Sequence, residues 1–105
     1  MNGQNPNPQG QQPKQMQIKA TDEVMRGVYT NAMQVRHNKE EFVLDFLVLQ
    51  PPQGSLNARI FTAPGHFKRI VMAMQENLKK YENTFGEIEV AEGPKSEVGF
   101  GERKE

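Results

Sequence analysis

The chain has 105 residues, 13 Lys+Arg against 13 Asp+Glu, and a hydrophobic share of only 35%. Mean hydropathy is −0.77, below what a fully folded chain of this length carries, so part of it is expected to lie outside a core. Zero net charge excludes binding to nucleic acid by bulk positive field, and the lack of cysteine excludes disulfides, thiolate nucleophiles and Cys-based metal sites. No apolar run approaches the ~20 residues of a membrane span, and the N-terminus lacks the basic-then-apolar layout of a secretory leader. The expectation is a cytoplasmic protein with no cofactor, no nucleic acid and no membrane partner.

Residues 1–15 hold five Gln, three Asn, three Pro and two Gly, with no aromatic or β-branched residue. Such a stretch buries too little apolar surface to offset its ordering entropy, and it reads as a disordered tail. Residues 89–105, broken by Gly93-Pro94 and ending in charge, read as a second, flexible tail. Between them, residues 16–88 form the expected domain. A domain of that size without a covalent staple is marginal alone, which points to self-association.

In chain order, Thr21-Asp22-Glu23 carries the signal of a short helical turn, and Gln17 to Ala20 offers a fourth strand. Three β-rich runs follow, over Val28 to His37, Glu41 to Gln50 and Leu56 to Thr62. Asn38-Lys39 is expected to form the first hairpin turn and PPQGS the second break. That first turn pairs His37 with Glu40, Val35 with Phe42 and Met33 with Leu44. The second hairpin pairs Leu44 with Ile60, Phe46 with Ala58 and Phe42 with Thr62. One face then collects Tyr29, Met33, Val35, Phe42, Leu44, Phe46, Val48, Ala58 and Ile60.

From Pro64, residues Phe67, Ile70, Val71, Met74, Leu78, Tyr81 and Phe85 recur every three or four positions. They draw an apolar stripe down one long helix. Pro64 suits its first position and Gly86 the position past its end, while Ala63 is a poor N-cap that Thr62 is read as replacing. The fold class expected is α+β: an antiparallel meander of three to four strands, then one C-terminal helix packed on a sheet face.

The other sheet face mixes Val28, Ala32, Val43, Leu47, Leu49 and Phe61 with Thr30, Gln34, Asp45 and Arg59. A wet face is dominated by polar residues, and this one is half apolar. Val43, Leu47, Leu49 and Phe61 are therefore the candidate interface of a homodimer, or a dimer of dimers. Asp45 stands opposite Arg59 and reads as a structural ion pair rather than as a catalytic carboxylate. The alternative is a small enzyme or ligand binder with a polar site around Asp45, Arg59 and His66.

Other residues add little chemistry. Lys68, Arg69, Lys79 and Lys80 interleave with Glu76, Glu82 and Glu87 as a solvated helix face. Met25, Met33, Met72 and Met74 read as filler, and His37 with His66 is a weak basis for a metal site. None of GxSxG, GxxxxGK[ST], HExxH or GxGxxG occurs. The balance favours a non-catalytic module that binds itself and a protein or peptide.

The strand Glu41 to Phe46, then Arg59, Pro64, Glu76-Asn77, Lys80-Tyr81-Glu82 and Phe85-Gly86, follow a recognisable order. The chain so resembles a small bacterial family known as domain of unknown function 3467, except that Ala63 stands where that family's Ser is expected. That family carries no established activity, so the resemblance supplies an identity and no mechanism. More loosely, strands followed by a long helix are similar to the SecB-type export chaperone, a likeness of fold alone.

Overall fold

The computed structural model describes residues 15–93, so the tail assignments at 1–14 and 94–105 lie outside the described residues. The elements are α1 (Asp22–Arg26), β1 (Ala32–His37), β2 (Phe42–Gln50), β3 (Gln53–Thr62) and α2 (Pro64–Phe85). The strands form one antiparallel sheet in the order β1-β2-β3, followed by the helix, an α+β arrangement. Residues 17–20 are not a strand, so among the described residues the sheet has three strands and not four.

The short helix α1 opens on the Thr21 hydroxyl, which accepts from the Val24 amide at 3.2 Å and satisfies one of the free donors of the first turn. Gly27, at φ 77°, ends it, and its amide donates to the Val24 carbonyl.

The first hairpin turns one residue later than the sequence suggests. Asn38 pairs with Glu41 through a backbone bond of 3.0 Å, leaving Lys39-Glu40 as the loop. The Asn38 Oδ1 accepts from the Glu40 and Glu41 amides at 2.7 and 3.0 Å, and this local capping fixes the turn. The pairs are consequently His37↔Phe42, Val35↔Leu44 and Met33↔Phe46. Each is displaced by two residues from the expected register, so every side chain keeps its face.

The second hairpin is tighter than PPQGS implied. Pro51-Pro52, joined by a cis peptide, make the turn alone, and β3 starts at Gln53 opposite Gln50. Phe42↔Thr62, Leu44↔Ile60, Asp45↔Arg59 and Phe46↔Ala58 pair directly. Beyond them the register shifts between Phe46 and Leu47, because Asn57 is an extra residue in β3. That bulge moves Leu56 onto the Leu47 side of the sheet.

The expected packing of the helix on the sheet does not occur along its length. Ala63 alone joins β3 to α2, in extended conformation (φ −75°, ψ 156°) and with no side-chain cap bond. Thr62 belongs to β3 and does not serve as the cap. A helix that doubles back over its own strand needs a connection of several residues. With one, only the first turns reach the sheet: Phe67 stacks on Phe42 with centroids 4.0 Å apart, and Phe67 and Ile70 are half-buried. No residue of α2 is buried. Gly86, at φ 103°, closes the helix with its amide on the Glu82 carbonyl.

Candidate functional site

Alternation along β2 divides the sheet into two faces. One holds Met33, Val35, Phe42, Leu44, Phe46, Ala58 and Ile60, and the other Ala32, Gln34, Arg36, Val43, Asp45, Leu47, Leu56, Arg59 and Phe61.

The second face is built around Asp45, whose side chain has 0% exposure. Arg59 reaches it with both arms of its guanidinium, Nε to Oδ1 at 2.7 Å and Nη2 to Oδ2 at 2.9 Å. Arg36 adds a third bond, Nη2 to Oδ2 at 3.0 Å. A carboxylate sealed from water is tolerated because charged donors replace its hydration. The Arg59 bonds hold its carboxyl below the usual carboxylate range; burial opposes them, and Arg36 reinforces them.

Arg36 is the residue that sequence reasoning missed. It shares parity with Ala32 and Gln34, so it falls on the Asp45 face in either register. The two-residue shift of the hairpin then sets it diagonal to Asp45, opposite Val43.

The same face has its own cover. Asn31 donates to the Leu47 carbonyl from its backbone and clasps Leu49 with its side chain, accepting at 2.8 Å and donating at 3.1 Å. The bulge residue Asn57 donates its Nδ2 to the Tyr29 carbonyl at 2.7 Å. Residues 29–31 are thereby tied to β2 at one end and to β3 at the other, crossing the sheet where Leu47 is buried (3% exposed). Of the four candidate interface residues, Leu47 is thus covered within its own chain, Val43 and Leu49 are half-buried, and Phe61 is exposed. Leu47 is buried within its own chain, beside the segment that Asn31 and Asn57 tie down.

Asp45 and Arg59 are brought together, whereas His66 sits exposed at the start of α2 and is not among the bonding partners of Asp45. Both Asp45 oxygens accept from guanidinium groups, Oδ1 once and Oδ2 twice, and the carboxylate is held in its charged form. Among the described residues no group of three or more His, Asp or Glu is placed to hold a metal ion. No helix among them is long and apolar enough to cross a membrane.

The other face and the helix are open. Met33, Val35 and Ile60 are exposed beside the buried Leu44, and in α2 Met74, Leu78, Tyr81 and Phe85 are about half exposed or more. A family model described as "Protein of unknown function (DUF3467)" matches residues 1–90, which include the strap, the sheet and all of α2. The chain belongs to that family. Its match also takes in residues 1–15, which composition alone sets outside the domain. No curated protein matches, and no solved structure does, so the likeness to the SecB-type chaperone has no support from any neighbour.

Proposed function

We propose that this member of the family is a non-catalytic interaction module working as a homo-oligomer. One observation carries the reading: a 22-residue amphipathic helix has no buried residue, while its stripe and one sheet face lie open. Contiguous exposed apolar surface of this extent marks an interaction site in a water-soluble fold. The sealed Asp45 supports a structural rather than a chemical use of the one buried charge among the described residues. Light scattering on the eluting protein tests it. A mass of at least twice 11.9 kDa at micromolar concentration supports the reading, and a stable monomer opposes it. A carboxylate-dependent activity lost in Asp45→Asn but retained by the fold would favour the alternative polar site around Asp45, Arg59 and His66.

A further inference from the structure

We infer that two copies of the chain associate by exchanging α2, each helix laying its stripe across the Met33, Val35 and Ile60 face of its partner's sheet. The inference rests on the homo-oligomer reading and specifies which surfaces meet. Four observations lead to it.

The link between β3 and α2 is the first. A single extended residue followed by Pro64 lets only the first turns of α2, at Phe67 and Ile70, reach its own sheet, and the stripe from Val71 onward runs past it. Short connections of this kind favour exchange of an element between copies over intramolecular docking.

The second is chemical match. The open sheet face carries no Asp, Glu, Lys or Arg, and neither does the stripe of Phe67, Ile70, Val71, Met74, Leu78 and Tyr81. Their contact desolvates no ion. The opposite face, with Arg36 and Arg59 partly exposed around Asp45, lacks that property.

Length is the third. From Val71 to Phe85 the helix rises about 21 Å, and the six residues of β1 extend about 20 Å. The fourth is exposure. Met33, Val35 and Ile60 on the face and Val71, Met74, Leu78 and Tyr81 on the stripe are each 37–56% exposed, so both surfaces of such an interface stand uncovered in one chain. Pairing of the two helices alone would leave Met33, Val35 and Ile60 in water.

The chain has no cysteine, so engineered thiols report unambiguously. Met33→Cys, on the sheet, is mixed with a size-tagged Met74→Cys, on the helix, under mild oxidant, with circular dichroism checking that each variant folds. The expected result is a mixed disulfide between the two chains as the main covalent product, read as the summed mass on a non-reducing gel. A bridge only between two Met74→Cys chains would overturn the exchange in favour of helix–helix pairing while leaving the homo-oligomer intact. An intrachain bridge in the doubly substituted monomer would place α2 on its own sheet and overturn the exchange. A folded mixture that stays monomeric by sedimentation and forms no bridge would remove both the exchange and the homo-oligomer reading.

Discussion

The two faces of one sheet are finished in different ways. On the Asp45 face everything costly is settled inside the chain: the carboxylate holds three guanidinium bonds, the strap at 29–31 is tied to β2 and β3, and Leu47 is buried. On the Leu44 face Met33, Val35 and Ile60 stay open, and the helix stripe that would suit them stays open too. The difference teaches which interactions a monomer can defer. An ion buried without donors costs several kcal/mol, so its partners must be present whenever the chain is folded. Apolar surface in water costs less per residue and can wait for a second molecule.

The sharpest way to break this comparison is through Arg59. Arg59→Ala removes two of the three bonds to a carboxylate that has no water to turn to, and should cost about 3 kcal/mol. Against the 5–15 kcal/mol of an ordinary domain that is a large fraction, read as a lowered denaturation midpoint. Arg36→Ala removes one bond from a more exposed side chain and should cost about 1 kcal/mol. Equal, small effects for the two would mean that Asp45 is wetter than its burial shows.

Leucines on either side of the divide should behave in opposite ways. Leu47→Ala opens a cavity in the finished face and should cost about 3 kcal/mol of stability, with little change in association at concentrations where the protein stays folded. Leu78→Glu places a charge in the open stripe, so its expected effect is loss of the oligomer with helix content retained at high concentration. Denaturation and light scattering on the same samples separate the two. A Leu78→Glu protein of unchanged mass would sink the comparison.

Acid should weaken the finished face selectively. The arginines lower the pKa of Asp45 in the folded state, so the folded protein takes up that proton less readily than the unfolded chain. The stabilisation is complete above the unfolded value of about 3.9. It is lost as pH falls through the lower folded value. Asp45→Asn should flatten that acid limb, and a limb of unchanged steepness would place the pH dependence elsewhere. An effect as small as that of Arg36→Ala is expected of Asn57→Ala, which releases the Tyr29 carbonyl for about 1 kcal/mol. Faster exchange of the Leu47 and Leu49 amides with no change in β1–β2 exchange elsewhere is its signature.

Much of this arrangement was legible from residue patterns. The alternation in β2 identified both faces, and the 3.6-residue spacing with Pro64 and Gly86 identified α2 with its ends. The β2–β3 register followed from parity as far as Phe46. Where the reading failed, one residue of local chemistry decided. Asn38 capping two amides moved the first hairpin, and Asn57 bulging out of β3 carried Leu56 across the sheet. Neither alters composition or period, so neither shows in a pattern. The strap at 29–31 was hidden for a related reason, since its hold comes from side-chain amides of Asn31 and Asn57 rather than from apolar residues. The packing of α2 was less legible, because an apolar stripe says which side of a helix is apolar and not how much of it meets the sheet: here only the first turns do, through Phe67 on Phe42.

Hydrogen exchange along α2 as a function of protein concentration tests the central claim most directly. A lone helix of this length, with its stripe in water, is marginal and exchanges quickly. The amides from Val71 to Phe85 should therefore gain protection steeply as concentration rises through the association range, together with those of Met33 and Val35, while the amides of Asp45 and Leu47 stay protected throughout. Protection of Val71 to Phe85 that is high and independent of concentration would contradict the account.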